Sequence, residues 1–183
     1  MKQVLTILFI GLLNFTSNAL ADVKILDSLQ EGNKLIFIRH ALAPGNGDPD
    51  NFKINDCSTQ RNLNKKGIDQ SILIGDFFKK NKIQIDKVLS SEWCRCKDTA
   101  KYAFKKFEVF QALNSFYDER FAENETKQIK DLKKLINNWS SDKNLVLVTH
   151  FVVISSILNV GSSSGEIIIT DKKLNIIGSI KTM

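Results

Sequence analysis

Residues 34–40 read Lys34-Leu35-Ile36-Phe37-Ile38-Arg39-His40 (KLIFIRH). Four consecutive apolar residues in this stretch are followed by two side chains that can take part in chemistry, an arginine and a histidine. Residues 34–39 predict a buried strand, and the loop that follows contains the breakers Pro44 and Pro49. A second apolar run, residues 145–149 (LVLVT), is typical of a central parallel strand and ends immediately before His150. Both histidines of the 183-residue chain therefore stand at the end of a predicted strand.

Strands and helices alternate through the rest of the chain, which predicts an α/β fold. Apolar periodicity predicts helices and strands at the following positions: helices over 65–81, 92–106, 125–139 and 151–158, and strands over 86–90, 108–111, 166–170 and 174–180. In the first of these helices, Ile68, Ile72, Gly75 and Phe78 are expected to form the buried face. The last two strands flank Asp171-Lys172-Lys173 and predict a hairpin. We expect a three-layer α/β/α domain with a mainly parallel sheet and an antiparallel edge hairpin.

The first 21 residues have the features of a secretory signal peptide. Lys2 is their only charge, an apolar run spans residues 4–13, and Ala19-Leu20-Ala21 matches a cleavage site. The alternative is a membrane anchor, but the apolar run is shorter than the roughly 20 residues that spanning requires. We therefore predict a signal peptide over 1–21, a single domain over 22–183, no stable membrane insertion after cleavage, and export to the periplasm or outside the cell.

The formal net charge of +6 is a modest basic excess that suits anionic substrates. The lysines are scattered and do not alternate with aromatic residues, so nucleic acid is not an expected partner. In an exported protein, Cys57 is expected to pair with either Cys94 or Cys96. A metal site is the rival interpretation of the cysteines. With neither histidine close to them in sequence, that interpretation is the weaker one.

Three polar clusters occupy equivalent places in the predicted sheet. Residues 39–40, residues 90–91 with Arg95 just beyond, and residues 149–150 each follow a strand. Ligands of open α/β sheets bind outside the carboxyl ends of the strands, so we expect these clusters to meet in one crevice. A single histidine is more often structural than catalytic. Two histidines, each at a strand end beside a possible phosphate ligand, favour a function.

Phosphoryl transfer is the chemistry that these side chains suit. A neutral His40 imidazole can attack phosphorus and form a phosphohistidine. Arg39 and Arg95 would favour its neutral form and bind phosphate oxygens. His150 is expected to donate to a phosphate oxygen in its cationic form.

The same residues give the chain a resemblance to the histidine phosphatase superfamily, also called phosphoglycerate mutase-like. Three elements carry it in order: Arg39-His40-Ala41, LSSEWCRCKDTA over residues 89–100, and LVLVTHFVVIS over residues 145–155. Ala41 stands where the family usually has glycine. The resemblance implies a phosphoglycerate mutase-like fold with His40 as nucleophile. Arg39, Arg95 and His150 would then complete the phosphate pocket.

The resemblance also implies further site residues. Relatives often take the proton donor for the leaving group from an acidic residue after the third strand, for which Glu119 and Asp118 are the preferred candidates. Asn46 lies six residues after His40, where many relatives have a phosphate-contacting asparagine. Arg61, in CSTQRNL, is a further candidate substrate-binding residue, with a purely structural role as its alternative.

The function expected from the sequence is hydrolysis of phosphomonoesters through a phosphohistidine on His40. No metal or organic cofactor is expected. The substrate would be a small phosphorylated molecule, with a phosphosugar as one candidate. Two alternatives stay open at this point: a non-catalytic module that binds phosphorylated ligands, and a phosphomutase.

Overall fold

The two apolar runs of the sequence form neighbouring strands at the centre of a sheet. The structure is a computed structural model that describes residues 23–183. Strand β1 (Leu35–Arg39) and strand β4 (Asn144–Thr149) pair in parallel, with Leu35 opposite Leu145. Every residue of β4 is buried, as expected for a parallel strand covered on both faces. The predicted signal peptide over 1–21 lies outside the described residues, and the boundary at Asp22 stays a prediction.

Four further strands complete a six-stranded sheet: β2 (Ile85–Ser90), β3 (Glu108–Val109), β5 (Ile167–Thr170) and β6 (Ile176–Ile180). Their order is β3-β2-β4-β1-β5-β6. The first four strands in this order are parallel, whereas β5 runs antiparallel to both β1 and β6. The predicted parallel sheet with an antiparallel edge hairpin is therefore confirmed.

In the part of the chain that the structure describes, five helices cover the sheet: α1 (residues 23–31), α2 (Lys65–Lys80), α3 (Cys94–Phe104), α4 (Glu125–Asn138) and α5 (Phe151–Leu158). The connections within the same residues contain three short 3₁₀ helices: Cys57–Thr59, Gln111–Leu113 and Glu119–Asn124. Helix α1 is an addition to the predicted elements. No helix within 23–183 has both the length and the apolar character needed to cross a membrane.

The alternation of β1 divides the interior into two apolar clusters, one on each face of the sheet. Leu35 and Phe37 point to the face that α4 and α5 cover, and they pack with Leu132 and Ile154. Ile36 and Ile38 point to the other face and belong to the cluster formed with α1, α2 and α3. These clusters give the three-layer α/β/α arrangement expected from the sequence.

The buried face of α2 differs from the predicted one. Ile72 is 42% exposed, whereas Ile74 and the polar Gln70 are buried. The side chain of Gln70 accepts a hydrogen bond from the Leu42 amide at 2.9 Å and donates to the Ser164 carbonyl at 2.7 Å. The helix thus turns a polar residue inward to hold two loops near the carboxyl edge of the sheet. Apolar periodicity alone gives no indication of this arrangement.

Candidate active site

The carboxyl ends of β1, β2 and β4 meet at one edge of the sheet and bring the predicted clusters together. The His40 amide continues the β1–β4 ladder by donating to the Thr149 carbonyl at 2.9 Å. The rings of His40 and His150 lie with their centroids 5.4 Å apart, and both side chains are buried. Arg39 and Arg95 line the same cavity. The expected juxtaposition of two imidazoles and two guanidiniums is therefore present.

This cavity has a volume of about 110 Å³. Its wall consists of basic, aromatic and small polar residues: Arg39, His40, Asn46, Gly47, Asp48, Arg61, Trp93, Arg95, Ser115, Tyr117, Asp118, Phe121, His150, Phe151 and Val152. Pockets for whole drug-sized ligands usually measure about 300–1,000 Å³. The cavity therefore suits a small anion, with the remainder of a ligand lying at its mouth.

The hydrogen bond that His40 makes to the main chain fixes its tautomer. Its Nδ1 lies 2.8 Å from the Ala41 carbonyl oxygen, which can only accept. Nδ1 therefore carries the hydrogen, and Nε2 has a free lone pair. Burial lowers the pKa of His40 well below its ordinary value, and the nearby charge of Arg95 lowers it further. The ring is consequently neutral and nucleophilic at neutral pH.

Alanine at position 41 is accommodated without strain. Ala41 is fully buried, and its backbone does not adopt a left-handed conformation. Its amide donates to the Thr99 hydroxyl at 2.9 Å, while its carbonyl accepts from His40. The methyl group in place of the usual glycine therefore leaves the hydrogen bond that orients the nucleophile intact.

A chain of hydrogen bonds orients His150. Its Nε2 lies 2.9 Å from the Ser91 hydroxyl, which donates to the Asn114 side-chain oxygen at 3.1 Å. The Asn114 amide in turn donates to the Glu92 carboxylate at 2.6 Å, so the direction of the whole chain is set. Ser91 must then accept from Nε2–H of His150. The sequence analysis identifies Ser91 but gives no indication of Asn114 or Glu92.

The surroundings of His150 favour its neutral form, so the cationic form expected beside a phosphate stays a prediction for the bound anion. Burial lowers its pKa well below the ordinary value, and the charge of Arg95 adds to the effect. Cys96 Sγ lies 3.4 Å from the same Nε2 atom. Burial raises the pKa of the Cys96 thiol to about 12, so this cysteine is a neutral packing partner.

The two buried imidazoles should make the folded protein less stable in mild acid. In the unfolded chain they protonate near pH 6.5, whereas the folded pKa values are lower. The unfolded state then binds more protons, so the free energy of unfolding falls as pH drops below about 6.5, by about 1.4 kcal/mol per pH unit per imidazole. Urea unfolding between pH 7.5 and 5 measures this slope. A His150→Gln variant should lose about half of it, and an unchanged slope would contradict the assignment.

Asp48 is a residue of the pocket that the sequence analysis missed. Its carboxylate forms a buried ion pair with Arg95, with Nη1 2.8 and 3.1 Å from its two oxygens. It also accepts from Trp93 Nε1 at 3.0 Å and from the Arg61 amide at 2.9 Å. Burial opposes its ionisation, but Arg95 and these hydrogen bonds outweigh burial and lower the pKa of Asp48. Asp48 therefore fixes the position of the Arg95 guanidinium.

The two substrate-binding candidates Arg61 and Asn46 also reach the cavity. The guanidinium of Arg61 donates to the carbonyls of Gly47, at 2.8 Å, and Ala43. The side-chain amide of Asn46 donates to the Tyr117 hydroxyl at 3.0 Å, on the exposed rim. Arg61 thus holds residues 43–47 of the loop in place through these hydrogen bonds, and it adds a third positive charge to the cavity wall.

The charge of the cavity matches a phosphate dianion. Arg39, Arg61 and Arg95 contribute three positive charges to the wall. Asp48 offsets one of them, and the charge of Asp118 is offset by its ion pair with Arg120, which leaves a surplus of two. The Nε–H groups of Arg39 and Arg95 are buried without a hydrogen-bond acceptor among residues 23–183. Buried donors of this kind ordinarily have partners, and phosphate oxygens are well suited to guanidinium groups.

The two proposed proton donors do not have the required properties. Asp118 lines the cavity, but Arg120 donates to its two oxygens at 2.9 and 2.8 Å. These side-chain hydrogen bonds, with one from the Arg120 amide, lower the pKa of Asp118 to about 2 and keep it ionised. Glu119 is exposed and does not line the cavity. The structure therefore does not support the sequence-based preference for Asp118 or Glu119 as the proton donor.

A disulfide joins the loop after β1 to the start of α3. Its partners are Cys57 and Cys94, and Cys96 is the free, buried cysteine. The Gln60 side chain reinforces the junction by accepting from the Cys94 amide at 2.9 Å. Since Arg95 is the next residue, the disulfide ties the loop that carries Asp48 to the helix that carries its ion-pair partner.

Loss of this disulfide should affect both stability and activity. Replacing Cys57 and Cys94 together with serine is expected to lower the free energy of unfolding by about 2–4 kcal/mol, since a 37-residue separation is no longer closed. The KM for a phosphorylated substrate should rise as the loop loosens. Urea unfolding and steady-state kinetics measure both effects. The wild type under reducing conditions is the matched control and should show the same losses. A double variant with the stability and KM of the oxidised wild type would contradict the interpretation.

A wider groove lies beside the cavity and shares Trp93, Ser115 and Phe121 with it. Its volume is about 1,090 Å³, but its lining includes no histidine or arginine. The chemistry is therefore assigned to the smaller cavity. Among residues 23–183, no group of three or more histidine, cysteine, aspartate or glutamate side chains is arranged to hold a metal ion.

Comparisons with known proteins agree with this fold. Three similar solved structures are the protein histidine phosphatase SixA bound to tungstate (17% identity, TM-score 0.58, covering 81% of this chain and 97% of that one), a mycobacterial glucosyl-3-phosphoglycerate phosphatase (15%, 0.55, 75% and 92%) and a phosphoglycerate mutase from Thermus thermophilus (14%, 0.59, 81% and 98%). At these identities they show the fold. A sequence search among curated proteins finds no match.

A family model for the histidine phosphatase superfamily (branch 1) matches residues 35–139, which is more than half of the chain. The matched range contains His40 and Arg95. His150 lies beyond that range, and the pairing of β4 with β1 brings it to the site. The chain therefore belongs to the histidine phosphatase superfamily.

Proposed function

We propose that the protein hydrolyses phosphate monoesters through a phosphohistidine on Nε2 of His40. The observation that carries the proposal is the neutral His40 ring, with its Nδ1 hydrogen fixed by Ala41, in a cavity with a surplus of two positive charges. A neutral imidazole is the nucleophilic form, and guanidiniums stabilise the charge on the transferring oxygens.

The reaction consists of two displacements at phosphorus. The Nε2 lone pair attacks first, the bond between phosphorus and the leaving oxygen breaks, and that oxygen departs with the electron pair and takes a proton from solvent water. Water attacks the phosphohistidine next. The P–N bond breaks, its electron pair returns to Nε2, and the water proton is released with orthophosphate. Arg39 and Arg95 bind the phosphoryl oxygens in both steps.

His150 has a role that depends on the bound anion. Its Nε2–H is engaged by Ser91, and burial, reinforced by the nearby guanidiniums, lowers the pKa of His150 and favours the neutral ring before binding. A phosphoryl dianion brings negative charge beside the ring and therefore raises the pKa of His150. Substrate binding would then be accompanied by proton uptake, and Nδ1–H would donate to a phosphoryl oxygen.

The ion pairs at the cavity limit the leaving groups that the site can expel. The carboxylates that line it within residues 23–183 are Asp48 and Asp118, each held ionised by an arginine. Neither supplies a proton at neutral pH. The proposed substrates are therefore phosphate monoesters whose leaving groups depart without an acid.

Removal of the two acids named from the sequence should consequently leave leaving-group selectivity unchanged. We expect kcat/KM to be about 10²–10⁴-fold higher for p-nitrophenyl phosphate than for an alkyl phosphate, the range that general acid catalysis ordinarily contributes. Glu119→Gln and Asp118→Asn should preserve this ratio, as measured by initial rates on both substrates. A variant that slowed only the alkyl ester would restore the role of proton donor to that residue.

Release of orthophosphate from p-nitrophenyl phosphate by the purified protein tests the proposed activity. Dialysis against a chelator checks the expectation that no metal is required. Labelled phosphate retained in an added alcohol, and not released to water, would instead support a mutase, the class of one similar structure. A protein that binds phosphate but releases none from the ester would support the non-catalytic alternative. The ion pairing of both carboxylates that line the cavity within residues 23–183 is the observation that favours this alternative.

Export remains part of the proposal. The Cys57–Cys94 disulfide supports it, since such bonds persist in oxidising compartments. Cell fractionation with N-terminal sequencing of the mature protein tests cleavage after Ala21. A phosphosugar stays a candidate substrate because one similar structure is a glucosyl-3-phosphoglycerate phosphatase. Sugar hydroxyls are poor leaving groups, so direct assay of a sugar phosphate beside an aryl phosphate is needed.

A further inference from the structure

Two exposed aromatic rings stand at the mouth of the phosphate cavity. Tyr117 is 57% exposed and Phe151 is 41% exposed, yet both line the cavity that holds His40. Scattered exposed apolar residues are ordinary, but apolar rings at the rim of a polar, basic pocket are typical of ligand contacts. These two rings therefore form a candidate subsite, here called the aromatic rim.

Both rings are held in place by residues of the phosphate pocket. The hydroxyl of Tyr117 accepts a hydrogen bond from Asn46 at 3.0 Å, and its amide donates to the Ser115 hydroxyl at 3.3 Å. Phe151 follows His150 directly and begins α5, and the Arg39 guanidinium lies 5.7 Å from the centre of its ring. The rings thus have a defined position relative to the phosphoryl group, with exposed apolar surface where the leaving group would emerge.

We propose that the aromatic rim binds a planar aromatic ring joined to the phosphoryl group through the ester oxygen, so that aryl phosphates are the preferred substrate class. The inference rests on the proposed function. Two independent features favour an aromatic over a saturated ring. Aromatic faces pair well with Tyr117 and Phe151, and an aryl oxygen departs without the proton that Asp48 and Asp118 cannot give.

Inhibition by phosphonates separates ring binding from leaving-group chemistry, because the P–C bond is not cleaved. Phenylphosphonate is expected to have a Ki roughly three- to tenfold lower than cyclohexylphosphonate, the range for an aromatic pair beyond equal buried area. Methylphosphonate, which buries no ring, should bind more weakly than both. The Ki ratio of the two ring phosphonates should approach one in Tyr117→Ala and Phe151→Ala, while Tyr117→Phe, which keeps the ring, should retain it.

Leu73→Ala is the matched control, since Leu73 is 59% exposed on α2 and does not line the cavity. It should keep the wild-type ratio. Equal Ki values for phenylphosphonate and methylphosphonate in the wild type, or a ratio retained in both alanine variants, would overturn the aromatic rim. So would cyclohexylphosphonate binding as tightly as phenylphosphonate. If neither methylphosphonate nor orthophosphate competes with substrate, the anion pocket and thus the proposed function fails, a result distinct from loss of ring preference.

Discussion

Replacement of His40 with asparagine is expected to lower kcat/KM for p-nitrophenyl phosphate by about 10⁴–10⁶-fold, the loss seen when a nucleophile is removed. Within the described pocket, Nε2 of His40 has a fixed and free lone pair, and the Nε2 atom of His150 is engaged by Ser91. In the proposed mechanism His150 is cationic once the phosphoryl group is bound and then has no free lone pair, so it does not replace His40. Initial rates at high enzyme concentration measure the residual activity.

The asparagine variant should still bind the anion, because Arg39, Arg61 and Arg95 are unchanged. Its affinity for orthophosphate, measured by calorimetry, is expected to stay within about one order of magnitude of wild type. This result would show that the loss of activity is a loss of chemistry, with the fold preserved. Turnover by the variant at more than a few per cent of the wild-type rate would contradict a nucleophilic His40.

Asp48→Ala is expected to have the largest effect on stability. The side chains of Arg95 and Asp48 are 4% and 9% exposed, so the substitution leaves a buried guanidinium without its counter-ion. Removal of one partner of a buried pair typically costs about 3–5 kcal/mol. For a protein of this length, that corresponds to a fall in Tm of about 6–20 °C. Scanning calorimetry measures it directly.

The same substitution should impair catalysis, because Asp48 fixes the guanidinium that binds the phosphoryl group. A displacement of about 1 Å at such a group can cost about 10²-fold in rate. Asp131→Ala is the matched control, since its ion pair with Lys127 lies on the surface and contributes little. If Asp48→Ala lost stability but kept wild-type kcat/KM below its Tm, the positioning role would be wrong.

The central strands and the meeting of the two histidines could be predicted from the sequence for a definite physical reason. Residues 35–38 and 145–148 are continuous apolar runs, which are typical of parallel strands buried on both faces. Parallel strands place their carboxyl ends at one edge, so the residues that follow them must converge there. The order of motifs then identified the family, which residues 35–139 confirm.

The contacts that complete the site have no comparable regularity. Asp48 lies in an aperiodic loop, and its approach to Arg95 depends on how that loop folds across the sheet. Asn114 reaches Ser91 from a connection between β3 and α4. The sequence does not reveal that Arg120 folds back onto Asp118, and it is this contact that weighs against Asp118 as the proton donor. Gln70 of α2 is likewise buried because it hydrogen-bonds to the main chain of a loop, and the apolar periodicity of the helix does not predict such a contact.

A covalent phosphoryl group on His40 during turnover is the most direct test of the mechanism. The protein is mixed with radiolabelled aryl phosphate, quenched in alkali, digested and analysed by mass spectrometry. We expect an acid-labile, alkali-stable label on the peptide that contains His40, absent from His40→Asn, and formed and lost at rates compatible with turnover. Turnover with no labelled protein at any quench time, or a label on a different residue, would contradict the account.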